Sequence, residues 1–267
     1  MSIRHYNPRR RYRRGISNRA RLFLYLILGI AILLQISYPL LNGESLRVVT
    51  IATVYAGAAA MFLHAWLAFG ARYAFTYLGF ALAFGFGIEL LGVSSGWPFG
   101  IYSYDPSLGP QLISVPLVVP FAWAMIAHPV LTVARRVSGN WVFLYGGFGL
   151  MAYDLFLDPQ MVTAGRWKWE VTGSHVPFTP EVPLSNAFGW LLSGMALIAL
   201  LHLILPRDRR KQGASFTAVD IFLAWTWFAG VVSNLFFFDR PGIALLGGFT
   251  YGIFLIPFLF SRWFGRP

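Results

Sequence analysis

Three carboxylic acids lie inside segments of the chain that are otherwise apolar: Glu89, Asp154 and Asp158. Asp154 and Asp158 are four residues apart, so on a helix they share one face, one turn above the other. No lysine or arginine lies within the same segments to pair with them. A buried carboxyl without a charged partner keeps its proton, and a neutral acid in an apolar site can donate that proton to a substrate. The structural alternative is that these acids only bond polar groups between helices.

The elements that must position these acids are long apolar runs. Of the 267 residues, 57% are hydrophobic and 12% are charged, whereas roughly a quarter of a soluble domain is charged. The apolar residues recur in runs of about twenty, the length of a membrane-spanning helix. The predicted spans are 22–41, 48–70, 73–92, 113–134, 141–158, 184–205, 218–238 and 243–261. The predicted fold class is all-α: a polytopic transmembrane helical bundle of about eight spans, forming a single domain over 22–267.

The distribution of basic residues predicts the orientation of the bundle. With the N-terminus inside, 17 of the 21 Lys and Arg residues fall in inner segments, as the positive-inside rule requires. Both termini are therefore predicted to be cytoplasmic in a multi-pass protein of the cell membrane, and a seven-span alternative stays open. The basic N-terminal segment, residues 1–21, fits this topological role, with attraction to membrane lipids. No nucleic-acid partner is expected.

The depth of the three acids follows from the same spans. Asp158 directly precedes Pro159, which predicts that the fifth helix ends there. Asp154 would then lie about 6 Å deeper, at about 1.5 Å per residue, and Glu89 lies at a comparable depth in its own span. Three carboxyls from two helices are expected to meet in the outer half of the bundle.

Several other chemistries are excluded by what the sequence lacks. There are no cysteines, and the five histidines are far apart in sequence, which excludes thiolate metal sites and the histidine clusters of membrane di-iron enzymes. The DxxxD pattern of Asp154 and Asp158 lacks the second aspartate-rich cluster with which prenyltransferases hold magnesium and a diphosphate. We therefore expect no metal site. His175, in the second of two long loops, remains a candidate for a residue that reaches a pocket.

The two long loops, 93–112 and 159–183, are rich in glycine, proline and aromatic residues. Loops of this length are usually functional or disordered, and their aromatic content argues against disorder. We expect both to fold back over the outer mouth of the bundle. The alternative to substrate binding is an ordinary aromatic belt at the membrane interface for the aromatic residues. For Asn186 the alternative is a helix cap. The candidate substrate-binding residues are Trp97, Tyr102, Tyr104, Trp123, Trp167, Trp169, Asn186 and Trp190.

These stretches resemble the carotenoid hydratase family, which includes bisanhydrobacterioruberin hydratases and γ-carotene 1′-hydroxylases. The similar motifs are ELLG from residue 89, GWPFGIYSY from 96, WKW from 167 and VPLSNAFGW from 182, together with Asp154 and Asp158. The resemblance implies a carotenoid 1,2-hydratase that needs no cofactor. Its partner would be a lipophilic carotenoid such as lycopene, taken from the bilayer and hydrated at the terminal double bond of its acyclic end group. Asp154 is then the favoured proton donor, with Asp158 or Glu89 as its partner.

Two other functions stay open. A membrane lycopene cyclase uses the same protonation but closes a ring, so its product is an isomer and not an alcohol. A non-enzymatic pigment-binding or transport protein would keep the aromatic loops without needing Asp154 or Glu89. Neither the particular carotenoid nor the oligomeric state is predicted.

Overall fold

The computed structural model describes residues 15–206, 211 and 214–265. Most of the basic N-terminal segment, residues 1–14, lies outside the described residues. The described residues form eight long helices, one for each predicted span, which confirms the all-α fold class. They are α1 (Asn18–Ser37), α2 (Gly43–Phe69), α3 (Ala71–Ser95), α4 (Val118–Val137), α5 (Val142–Thr163), α6 (Leu184–Ile204), α7 (Thr217–Phe236) and α8 (Pro241–Trp263).

The first helix starts earlier than predicted because its N-terminus is capped. The Ser17 hydroxyl accepts a hydrogen bond from the Ala20 amide at 3.2 Å, which satisfies one of the free donors of the first turn. At its other end, α1 continues into a short 3-10 turn, Tyr38–Leu40.

Helix α4 lies at the centre of the bundle. The other seven helices form a closed ring in the order α1, α2, α3, α6, α5, α8 and α7, each packed on the next and α7 packed on α1. An unbroken stretch of α4, residues 123–134, is buried. The ring helices instead turn large apolar side chains outward, among them Leu22, Phe80 and Phe249, as expected for helices in contact with lipid.

Seven of the eight helices in the described part of the chain are long and apolar enough to cross a membrane. The exception is α5, which carries Asp154 and Asp158. It is one of the ring helices and packs against α4, α6 and α8, with both aspartates buried. The protein is therefore a multi-pass membrane protein, and the orientation of its termini stays a prediction.

The two long loops pair with each other across one end of the bundle, which we call the long-loop end. The described strands are β1 (Tyr102–Tyr104), β2 (Gln111–Leu112), β3 (Val115–Pro116), β4 (Trp167–Trp169), β5 (His175–Val176) and β6 (Thr179–Pro183). Strand β1 of the first loop runs antiparallel to β4 of the second, with Tyr102 opposite Trp169 and Tyr104 opposite Trp167. This pairing holds aromatic residues of both loops against α3 and α5.

Two predicted helix boundaries are corrected by the structure. Helix α5 does not end at Asp158 but runs through Pro159 to Thr163, so the prediction that Pro159 terminates it was wrong. A proline removes one backbone donor, a loss that membrane helices tolerate when neighbouring groups satisfy the freed carbonyl. Helix α4 begins at Val118 and not at 113 because β2 and β3 form a hairpin there.

Candidate active site

Glu89 is buried near the long-loop end of α3 and accepts three hydrogen bonds. The hydroxyls of Tyr102 and Tyr104 both donate to Oε2 at 2.6 Å, and Nε1 of Trp123 donates to Oε1 at 2.8 Å. The tyrosines come from β1 and the tryptophan from α4, so this carboxyl joins three parts of the fold. Three donors on two oxygens complement the ionised form of a carboxyl, which only accepts.

A glycine lets the first long loop approach α3 at this point. Gly92 lies three residues after Glu89, and a Cβ there would sit 2.5 Å from the Tyr102 hydroxyl and 2.9 Å from the Phe99 ring. Burial, and then the charge of the neighbouring Glu89, raises the pKa of the Tyr102 and Tyr104 phenols above the usual value. Both phenols therefore stay protonated and available as donors to Glu89.

Asp154 and Asp158 form the second part of the site. Their side chains are buried, with 2% and 3% exposure, and both are bonded by the same amide group. Nδ2 of Asn186 donates to Oδ2 of Asp154 at 2.9 Å and also to Oδ2 of Asp158. Two buried carboxyls held this close by one amide repel each other when both are ionised. The arrangement therefore favours a pair in which one carboxyl keeps a proton.

Close packing of α5 on α6 brings Asn186 to the aspartates. A Cβ on Gly194 of α6 would lie 3.1 Å from the Cα of Gly147 of α5, so these glycines let the two backbones approach. Asn186 lies in the first turn of α6, after Pro183 at the N-cap position. Its side chain bonds the carboxyls instead of capping the helix, which is one of the two roles expected from the sequence.

A cavity of about 190 Å³ lies beside the carboxyls near the long-loop end. A single water needs about 10–15 Å³ on the same measure, so the cavity admits a much larger ligand. Glu89, Asp158 and Asn186 line it, whereas Asp154 does not form part of its wall. Glu89 is near enough to both aspartates for electrostatic interaction. The structure thus brings together the three acids singled out in the sequence and places Asp158 on the cavity side.

Much of the remaining wall is apolar. The apolar lining residues include Val118, Val119, Ala122, Met125, Phe156, Leu157 and Phe222.

Among the residues that the structure describes, no group of three or more His, Asp or Glu side chains is placed to hold a metal ion.

Aromatic rings cover the cavity next to the acids. Trp123 and Trp190 stack with their ring centroids 4.2 Å apart and their planes 8° apart. Two further ring contacts continue the β1–β4 pairing on the same wall: Tyr102 with Trp169 at 5.8 Å and Tyr104 with Trp167 at 5.7 Å. Because aromatic faces attract a cation, this wall suits positive charge that develops beside the carboxyls.

Two residues singled out in the sequence lie elsewhere. Trp97 is 60% exposed and is not part of the cavity wall. His175 is exposed on β5, where its Nδ1 atom lies 3.0 Å from the Val176 carbonyl oxygen, and it does not line the cavity either. The other predicted binding residues do line it: Tyr102, Tyr104, Trp123, Trp167, Trp169, Asn186 and Trp190.

A second polar part of the wall was missed by sequence reasoning. Hydroxyl and amide side chains are ordinary helix-packing residues in membrane proteins, so none of them stands out alone. Only Gln160 carried a signal, because it follows Asp158 by two residues. These polar lining residues are Gln35, Tyr38, Thr50, Thr53, Gln160, Thr226 and Ser233.

The fold and the cavity define a class: a multi-pass membrane protein with an acidic site inside an apolar and aromatic cavity. The chain belongs to the family described as carotenoid biosynthesis protein, whose profile matches residues 49–254. That range contains all three acids and Asn186. The family resemblance carried by the sequence motifs is therefore confirmed.

One relative has a more specific name. The chain is similar to bisanhydrobacterioruberin hydratase from Haloarcula japonica, with 33% identity over 164 residues, which cover 58% of this chain and 54% of that protein. The match thus spans about half the length of the relative. No solved structure matches the chain.

Proposed function

We propose that this protein adds water across the terminal C=C bond of an acyclic carotenoid end group and gives a tertiary alcohol. The observation that carries the proposal is the buried carboxyl cluster facing an apolar and aromatic cavity. Membership of the carotenoid biosynthesis family and similarity to a protein named as a hydratase support it.

The acid step is assigned to the aspartate pair. Protonation of the less substituted alkene carbon breaks the π bond and leaves a tertiary carbocation. We place the donor at Asp158, and not at Asp154 as the sequence favoured, because Asp158 lines the cavity. Asp154 lies outside the cavity wall, and Asn186 bonds both carboxyls and so holds them together. Enzymes obtain such acids at ordinary pH by surrounding a carboxyl with groups that keep it in its neutral form.

The cation is stabilised by the neighbouring groups until water attacks it. The faces of Trp123 and Trp190 attract positive charge, and Glu89 supplies an anion held in place by three donors. The oxygen of water then bonds to the cationic carbon, and a carboxylate of the cluster takes the spare proton. The net reaction adds water to the alkene without net oxidation or reduction, so the proposed chemistry requires no redox cofactor.

The substrate is proposed to reach the cavity from the bilayer of the cell membrane. Cavity-lining residues of α1 and α7, such as Gln35, Thr226 and Gly230, extend the cavity towards the place where these two ring helices pack on each other. A lipophilic carotenoid would pass sideways between the helices and place its end group beside Asp158. Its polyene would remain among apolar side chains and lipid.

Product analysis tests this function directly. The protein would be produced in a bacterium that accumulates lycopene or a longer acyclic carotenoid, grown in water enriched in the heavy oxygen isotope, and its pigments separated by liquid chromatography with mass detection. We expect an alcohol with an unchanged chromophore and an oxygen atom derived from water. An isomer with a shortened chromophore would indicate a cyclase. Unchanged pigments, with the protein present in the membrane, would contradict any hydration activity.

A further inference from the structure

The polar part of the cavity wall that lies on α1, α2 and α5 has buried hydroxyls without partners. The Tyr38 hydroxyl and Oγ1 of Thr53 are both buried and make no hydrogen bond to any described residue, and both residues line the cavity. Tyr38 as a whole is only 8% exposed. Buried polar atoms in folded proteins almost always have a partner, which is ordered water or a ligand where protein supplies none.

The surroundings of Tyr38 fix its hydroxyl and add further polar groups. Its ring packs edge-on against Phe238, with centroids 6.1 Å apart. The side chains of Gln160 and Thr50 lie near the hydroxyl without bonding it, and both residues line the same cavity. Gln160 is two residues after Asp158 on α5, so this group borders the same helix as the proposed acid.

The position of Tyr38 in the fold brings this group to the long-loop end of the cavity. Tyr38 follows α1 at the long-loop end, and it lies near Arg166 and Arg240, which belong to segments between helices. A site with two to four polar partners and enough volume holds water stably in a protein interior.

We propose that Tyr38, Thr53 and Gln160 form the binding site for the water molecule that is added to the substrate. The inference rests on the proposed hydration function and specifies where its second reactant is held. In this arrangement the acid protonates the end group, and the held water supplies the oxygen to the cationic carbon. These three residues position water and are not proton donors in the reaction.

This role separates the two halves of the reaction. If the acid remains and the water is no longer held, the cation still forms but loses a proton again and returns to alkene. In deuterated water the recovered alkene then carries deuterium at its end group. A positioning defect therefore lowers the yield of alcohol relative to deuterium exchange, whereas general damage to the site lowers both together.

The test compares Tyr38→Phe and Thr53→Val with the natural chain in membranes containing an acyclic carotenoid and deuterated water. Since each variant removes a hydroxyl that lacks a protein partner, neither is expected to lose stability. The ratio of alcohol to deuterated alkene should fall about fivefold or more for each variant, the effect of losing one hydrogen bond to the reacting water.

Tyr251→Phe is the matched control. Its hydroxyl is also buried without a described partner, but it does not line the cavity, so its ratio of alcohol to deuterated alkene should not change. An equal fall of alcohol and exchange in Tyr38→Phe, or no change in either, would overturn the water site. A natural chain that produces no alcohol would instead overturn the proposed function itself.

Discussion

The indole of Trp123 lies parallel to that of Trp190, with ring centroids 4.2 Å apart. Trp123 comes from the central helix α4 and Trp190 from the ring helix α6, and the N–H of Trp123 is bonded to Glu89. The stack therefore connects an aromatic surface directly to a buried carboxyl. In the proposed reaction this surface would stabilise the carbocation, because aromatic faces attract a cation.

Replacing Trp190 tests the aromatic surface. Trp190→Leu removes the π face, whereas Trp190→Phe retains a smaller one. A cation–π contribution of about 1–2 kcal/mol predicts that Leu slows alcohol formation by about tenfold and Phe by less. Initial rates of alcohol formation in isolated membranes measure both. Equal rates for the two variants would show that the ring contributes volume and not charge stabilisation.

Glu89 is predicted to matter both to stability and to chemistry, and two substitutions separate these effects. Glu89→Gln keeps the shape: its oxygen can accept from Trp123 while its NH2 group donates to the two tyrosine hydroxyls, so the thermal midpoint of the detergent-solubilised protein should stay close to that of the natural chain. Glu89→Ala leaves three buried donors unpaired, at about 1–3 kcal/mol each, and should lower the midpoint strongly.

Activity is expected to fall on the order of 100-fold in Glu89→Gln, the usual contribution of a positioned acid or base. Because that variant should remain folded, its loss reports on the charge of Glu89 alone. Normal alcohol yield from folded Glu89→Gln would leave this carboxyl with a purely structural role.

The close approach of the first loop to α3 predicts a steric effect at Gly92. In Gly92→Ala the new methyl would meet the Tyr102 hydroxyl and the Phe99 ring, so Tyr102 must move away from Glu89. Overpacking of this kind costs about 1–3 kcal/mol, and both thermal stability and alcohol yield should fall. Gly87→Ala is the control on the same helix, because a Cβ there meets nothing within 4 Å. Similar behaviour of the two variants would argue against this contact.

The sequence revealed the acids but not their arrangement around the cavity. Glu89, Asp154 and Asp158 stood out because a charged group in an apolar span is rare. Which aspartate faces the cavity depends on the rotation of α5, since residues four apart differ by about 40° around a helix. That rotation is set by packing on α4, α6 and α8, which spacing alone does not specify.

The helix positions were predictable because apolar runs of bilayer length are a strong signal. The pairing of β1 with β4 was not, since the two strands are short and lie in loops far apart in sequence. The hydroxyls of Tyr38 and Thr53 gave no signal either. Their proposed role in holding water rests on their lack of described partners, which only the packed structure shows.

The most direct test of the account is the alcohol yield of Asp158→Asn. Asn has nearly the same shape as Asp but cannot supply the proton, so we expect alcohol formation to fall by at least about 100-fold, with a normal amount of protein in the membrane. Glu170→Gln, which changes an exposed acid in the residue after β4, should retain full yield. A wild-type alcohol yield from Asp158→Asn would contradict the central claim that the acid facing the cavity protonates the substrate.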